Sequence, residues 1–219
     1  MASIIERALR KVFPARYVSK HARAAHRLGQ ANENVSTYVD GGVVLWDEFL
    51  PKEDFIKIQH WAADVLCDRS RESRKWGEYL IRDYGECYGS RQWSSEHDDV
   101  PAQLRLFMNA VRKTKLVPAD AEIHAGIYRW QPTSGMGQHT DSHTNTAVTF
   151  YLNDAWQDDW CGEFVFYENA DNHQNGIGYA VSPRANRLVI NRNTVPHKVT
   201  YTSNLSIDRI TVQAFLPKN

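Results

Sequence analysis

Between residues 122 and 216 the chain is a succession of short β-prone runs: 122–130, 145–152, 163–167, 178–181, 187–191, 198–202 and 209–216. Turn formers separate them, among them Gln131-Pro132, Asn175-Gly176, Ser182-Pro183 and Val195-Pro196. The runs predict the strands of an antiparallel double sheet. Upstream the texture differs. Val43-Val44-Leu45-Trp46 reads as a strand, and Pro51 then opens a pattern in which Phe55, Ile58, Trp61, Ala62, Val65 and Leu66 recur at three and four residues. A second helix is predicted over 101–115, with Leu104, Phe107, Met108 and Val111 on its inner face. Helices first and strands after predict a mainly β domain with flanking helices (α+β). The core is expected to be a double-stranded β-helix, a cupin-like jelly roll that limits exposed edges, with the N-terminal helices on one sheet.

Charge divides the chain at its N-terminus. The 26 basic and 26 acidic residues cancel. Residues 1–30, however, hold Arg7, Arg10, Lys11, Arg16, Lys20, Arg23 and Arg27 against Glu6 alone, a net of +6 that leaves −6 for the remainder. We therefore read residues 1–34 as a basic extension and 35–219 as one domain. An Arg-rich, acid-poor start is compatible with a solvated basic helix and with an organellar transit peptide. No apolar run approaches the roughly 18 residues of a membrane span, so no membrane partner is expected. Cys67, Cys87 and Cys161 form no CxxC pair, which removes the usual zinc and redox motifs. Free thiols suit a reducing cytoplasm, the expected location.

Two His-x-Asp triplets occur, where composition alone gives about 0.6 (9 His and 15 Asp in 219 positions). His97-Asp98-Asp99 sits in a polar stretch before a proline and reads as a solvated loop. His139-Thr140-Asp141 follows a strand and a Gly135-Met136-Gly137 turn, and precedes the strand-prone 146–152. His197 comes 56 residues after Asp141, behind another strand and a proline turn. Two His and one carboxylate on one face are the ligand set of non-haem Fe(II) oxygenases. In the last strand Arg209, Thr211 and Gln213 share one face, and Ile210, Val212, Ala214 and Leu216 the other. A polar face among apolar strands points to a lined cavity, and an Arg there suits a carboxylate gripped by its planar fork.

Taken in order, His139-Thr-Asp141, Phe150-Tyr151-Leu152-Asn153, Trp160-Cys161-Gly162-Glu163-Phe164, Pro196-His197 and Arg209 resemble the 2-oxoglutarate/Fe(II)-dependent dioxygenases. The likeness is to the prolyl 4-hydroxylase branch, closest to the oxygen-sensing prolyl hydroxylases. The resemblance covers about 90 residues, and Val43–Trp46 with Phe49-Leu50-Pro51 extends it more weakly. It implies His139, Asp141 and His197 as iron ligands, with Fe(II), 2-oxoglutarate and O2 as cofactor and co-substrates. It implies Arg209 as the partner of the distal 2-oxoglutarate carboxylate, Tyr151 as a donor to the same group, and Thr211 beside them. Tyr128 is a possible third contact, with Trp130 the alternative by register. Asp141 occupies the position where related halogenases lack a carboxylate, which favours hydroxylation. Two features depart from the pattern: Cys161-Gly162 stands for Gly-Gly, and the twelve residues from His197 to Arg209 are slightly long, a surplus that Ser203-Asn204 would absorb. Arg187 and Arg192 are the reserve candidates.

The resemblance implies hydroxylation of a C–H bond, foremost on a prolyl residue of a protein or peptide, with succinate and CO2 as co-products. Hydroxylation of a free amino acid or other small metabolite stays open, with Arg91 or Arg129 as candidate anchors. A nucleic-acid demethylase and a non-catalytic cupin-like module are the other readings. The acidic balance of the domain counts against a phosphate-backbone partner. His143 reads as a surface histidine or one that supports a ligand, and His124 as a satisfied structural one. The aromatic segment 76–93 reads as core or as a substrate lid.

Overall fold

A computed structural model describes residues 34–39, 42–67, 73–75, 85–141, 143–192 and 195–217. All of the basic extension but Asn34 therefore lies outside the described residues, as do Trp76, Tyr79 and Tyr84 of the aromatic segment. No helix among the described residues is long and apolar enough to cross a membrane.

Two antiparallel sheets face each other. The larger has nine strands: β1 (Val35–Tyr38), β2 (Val43–Trp46), β3 (Ser73–Lys75), β4 (Cys87–Gly89), β5 (Trp93–Ser94), β6 (His124–Trp130), β8 (Thr144–Tyr151), β11 (Leu188–Arg192) and β13 (Arg209–Pro217). They lie in the order β1-β2-β11-β8-β13-β6-β4-β3, with β5 also paired to β6. The smaller sheet orders β10 (Tyr179–Val181), β9 (Phe164–Phe166), β12 (His197–Val199) and β7 (Met136–His139). This is the expected jelly-roll layering.

The strand alternation sets each side chain's layer. Val148 and Phe150 of β8, Leu188 and Ile190 of β11, and Val212, Ala214 and Leu216 of β13 all turn outward into one apolar core. Two helices close that core: α1 (Lys52–Cys67), through Phe55, Ile58 and Ala62, and α2 (Ala102–Lys113), through Leu104, Phe107, Met108 and Val111. Glu53 and Asp54 occupy the first turn of α1, where acidic side chains complement the helix dipole. Phe150 stands at the centre, with Phe49, Phe55 and Phe107 at ring distances of 5.3–5.9 Å. Odd-numbered residues of the same strands turn inward. Tyr151, Val189 and Val43 meet Phe164, Phe166 and Val181 of the smaller sheet.

Three points correct or refine the expectations. Gly135-Met136-Gly137 is no turn: Met136–His139 is strand β7, paired with β12. Glycine lets the chain approach closely at its start, since a Cβ on Gly135 would lie 2.8 Å from the Tyr201 ring. The described parts of 73–94 are short strands that widen the larger sheet; Cys87 is fully buried and Trp93 packs on Trp61 of α1 at 6.0 Å, in line with the core reading for these residues. They escape periodicity because each has only two or three residues. A short helix, α3 (Ala170–Gln174), also joins β9 to β10, capped by the Asn169 side chain on the Asn172 amide.

Candidate active site

The two histidines of the proposed ligand set lie directly opposite each other. His139 ends β7, His197 begins β12, and the two are paired in register. Their rings stand 4.2 Å apart. Asp141, two residues past β7, turns back toward both: Oδ1 lies 3.8 Å from His139 Nε2 and Oδ2 3.5 Å from His197 Nε2. One ligand atom from each of the three residues falls within 4.8 Å of the other two.

The backbone fixes which nitrogen of each ring faces the centre. His139 Nδ1 lies 2.8 Å from the Gly137 carbonyl, and His197 Nδ1 lies 2.8 Å from the Val195 carbonyl. A carbonyl only accepts, so each Nδ1 carries the proton and each Nε2 presents a lone pair toward Asp141. This is the tautomer a divalent metal requires. Burial holds His197 below its ordinary pKa against the opposing pull of Asp141, so its neutral, ligating form is favoured. Phe164 packs along the His197 ring at 4.9 Å.

A cavity of about 460 Å³ opens from this centre between the sheets. Ala147, Thr149, Val189, Asn191 and Gln213 form part of its wall on the larger sheet. Among its described lining residues there is no Lys, Arg or Glu; Asp141 is the one carboxylate. His124 and His143 line it as well. His124 is also bonded to Glu122 at 2.8 Å, so it is the satisfied histidine expected, but one set on the cavity wall. His143 is exposed.

Deeper in the fold lies a second polar group. Arg209 is 2% exposed, its guanidinium stacks 4.8 Å from the Trp130 ring centre, and Nη1 donates to the Gly162 carbonyl at 2.6 Å. No carboxylate among the described residues pairs with it. Arg209 Nε, Trp130 Nε1 and Thr211 Oγ1 are buried without a hydrogen-bond partner among the described residues. Trp130 and Arg209 are register partners, as are Thr211 and Tyr151. A buried cation with unpaired donors beside it is costly unless an anion completes it, so the group fits a carboxylate. Burial pushes the Tyr151 hydroxyl above its ordinary pKa, keeping it a neutral donor, and lowers that of Arg209.

The reserve candidates are otherwise engaged. Arg187 grips Asp47 with Nε at 2.6 Å and Nη2 at 2.8 Å, while Nη1 donates to Ser182 O. Arg192 Nη1 reaches the Leu116 carbonyl at 3.4 Å. Arg129 pairs with Asp208 at 3.2 Å and, by strand alternation, faces away from Tyr128 and Trp130. Arg91 is held by Asp99 at 2.5 Å. Neither of the latter two lines the cavity, so neither serves as the anchor envisaged for a free amino acid. The Tyr128 hydroxyl accepts from Gln92 Nε2 at 2.8 Å and Tyr128 is the register partner of Thr211, while Trp130 is the residue against Arg209. The triplet His97-Asp98-Asp99 is fully at the surface, as read.

The two departures from the family pattern are both accommodated. Cys161 adopts φ 55°, standing in a glycine-like conformation. Gly162, at φ +81°, has no room for a side chain: a Cβ would meet Thr202 Cγ2 at 2.8 Å and Arg209 Nη1 at 3.0 Å. The extra length before Arg209 is taken up where the Ser206 amide bonds back to Ser203 O at 3.1 Å.

A double-stranded β-helix holding a two-histidine, one-carboxylate face beside a buried arginine fits the ligand arrangement of non-haem iron oxygenases. Residues 124–217 match the model of the 2OG-Fe(II) oxygenase superfamily. No curated protein matches the chain in sequence. Among solved structures, a Pseudomonas putida prolyl-4-hydroxylase is similar at a TM-score of 0.64 and 14% identity, covering 81% of this chain and 93% of its own. A Trichoplax adhaerens prolyl hydroxylase, in complex with a hypoxia inducible factor oxygen degradation domain peptide, gives 0.63 and 14%, with 95% of each chain covered. The non-heme alpha ketoglutarate dependent epimerase SnoN from nogalamycin biosynthesis gives 0.59 and 12%, covering 88% and 82%. Residues 124–217 carry the 2OG-Fe(II) oxygenase match, which supports an oxidoreductase using Fe(II), 2-oxoglutarate and O2, and the fold is that of the prolyl-4-hydroxylases among the solved structures.

Proposed function

We propose that the enzyme hydroxylates an unactivated C–H bond on an uncharged stretch of its substrate, foremost a prolyl residue of a protein or peptide. The observation that carries this reading is the cavity's scarcity of charge: apart from Asp141 at the metal face, its described walls offer no Lys, Arg or Glu to hold the ammonium and carboxylate of a free amino acid. Arg91 and Arg129 are committed to Asp99 and Asp208. A peptide bond is neutral, and Thr149, Asn191 and Gln213 supply neutral hydrogen-bonding groups suited to it. The likeness to a prolyl hydroxylase crystallised with a peptide supports the same reading.

In this account His139, Asp141 and His197 hold Fe(II), and Arg209, with Tyr151, Thr211 and Trp130, holds the distal carboxylate of 2-oxoglutarate. Fe(II) with O2 and 2-oxoglutarate supplies the oxidant, the 2-oxoglutarate leaving as succinate and CO2. The protein's own part is positional. The Gly137 and Val195 carbonyls set both histidine tautomers, and the Gly162 carbonyl aims the Arg209 guanidinium. Trp130, 1% exposed, keeps water from that cation.

The test is a succinate-release screen over proline-containing peptides, free amino acids and small neutral metabolites, followed by mass spectrometry of each stimulating substrate. The proposal expects stimulation by a peptide that gains one oxygen on proline. Stimulation confined to free, charged amino acids would refute it.

A further inference from the structure

We infer that Asn191 is a positioning residue for His197, its amide oxygen accepting the Nδ1 proton and thereby holding the ring in its metal-ligating tautomer. This rests on the proposed role of His197 as an iron ligand.

Asn191 sits on β11, 5% exposed, with its side chain on the cavity wall. Outward neighbours Leu188 and Ile190 are apolar, and inward Val189 is too. A buried amide at this position therefore needs partners of its own. As placed, Nδ2 lies 3.0 Å from His197 Nδ1 and 3.5 Å from Val195 O, while Oδ1 is buried with no partner. The same Nδ1 lies 2.8 Å from Val195 O.

These contacts conflict. The short approach to a carbonyl requires a proton on Nδ1, and a protonated nitrogen has nothing to offer an amide NH2. Nitrogen and oxygen of an Asn side chain are nearly the same shape, so their assignment follows from the hydrogen-bond network. Rotating the terminal amide by half a turn puts Oδ1 on the Nδ1 proton, which is then shared between Asn191 and Val195. The acceptor that was stranded gains its donor. Nδ2 moves to the buried place that Oδ1 held.

The opposite choice fails on the same distances. If Asn191 donated to a bare Nδ1, that lone pair would face the Val195 carbonyl at 2.8 Å. The ring proton would then sit on Nε2, aimed at Asp141 3.5 Å away, and no lone pair would reach the metal position. For His139 the Gly137 carbonyl gives the same Nδ1 contact at 2.8 Å.

Co(II) titration of the full chain, followed by its visible absorption, tests this alongside Asn191→Asp and Asn191→Leu. Asp keeps an oxygen acceptor; Leu keeps the volume and removes it. Partners that orient a metal-bound histidine are typically worth 10–100-fold in metal affinity. The expectation is a 10–100-fold weaker Co(II) site in Asn191→Leu with an altered spectrum, and affinity within about threefold of wild type in Asn191→Asp. Wild-type affinity in Asn191→Leu would overturn the proposal. Should the Leu variant not fold, Asn191→Asp decides alone: a loss of tenfold or more overturns it. Failure of the unaltered chain to bind Co(II) would instead refute the triad itself.

Discussion

His139 and His197 are Cα partners across two neighbouring strands, yet they are 58 positions apart in the chain. Each ring is turned by a carbonyl two residues before it, Gly137 in one case and Val195 in the other. Register brings the rings to 4.2 Å, and local backbone decides that both point Nε2 inward. Only the third member of the cluster, Asp141, comes from outside a strand.

Removing any one of these three side chains leaves too few ligands on the face. His139→Ala, Asp141→Ala and His197→Ala should each abolish Fe(II)-dependent 2-oxoglutarate turnover. Thermal melting of the metal-free proteins should shift by only a few degrees for His139 and Asp141, which are only partly buried. Loss of folding in those two variants would show that they serve the fold rather than the metal.

The other triplet provides the control. His97 and Asp99 are exposed, and Asp99 binds only the exposed Arg91. Surface pairs of this kind contribute about 0–1 kcal/mol. Turnover in His97→Ala and Asp99→Ala should stay within a few-fold of the parent, measured by succinate release under saturating Fe(II).

Arg209→Ala should weaken 2-oxoglutarate binding by a hundredfold or more, since breaking a buried charge pair costs roughly 3–5 kcal/mol. Calorimetric titration with Mn(II) present would measure it. Arg209→Lys should recover part of the loss, because an ammonium lacks the bidentate fork. Tyr151→Phe should cost about 1 kcal/mol, one neutral donor. Unchanged binding in Arg209→Ala would remove the carboxylate site from this end of the fold.

Gly162→Ala tests the link between that arginine and the Cys161 turn. The added methyl meets Thr202 Cγ2 at 2.8 Å and Arg209 Nη1 at 3.0 Å, at a φ of +81° that L residues rarely adopt. The conformational part alone costs about 1–2 kcal/mol. The melting temperature and 2-oxoglutarate affinity should fall together, whereas Cys161→Gly, which relaxes φ 55°, should raise the melting temperature.

How much of this was legible in the sequence depended on the length of each signal. The α1 and α2 faces were readable because Phe55, Ile58 and Ala62, or Leu104, Phe107, Met108 and Val111, repeat over several turns. Strand β13 was readable because nine residues alternate without interruption. Among the strands of two to four residues, β2, β9, β10 and β12 fell on the predicted strand runs, while β1, β3, β4, β5 and β7 went unseen. Glycines at 135 and 137 made β7 look like a turn, when Gly135 serves close packing against Tyr201. The cluster of His139, Asp141 and His197 was readable from residue type and order alone. Trp130, rather than Tyr128, beside Arg209 depended on which of two inward residues stands opposite Arg209, a matter of register. Asn191 had a faint signal, a polar residue at an inward position after Val189, but its partner His197 is set by the turn between β11 and β12.

The central claim is that this chain couples Fe(II) at His139, Asp141 and His197 to oxidation of 2-oxoglutarate. The most direct measurement is succinate formed from 2-oxoglutarate under O2, by the parent and by Asp141→Ala side by side, each with and without added Fe(II). The account predicts Fe(II)-dependent succinate from the parent and none above background from the variant. Equal succinate from both proteins would contradict it.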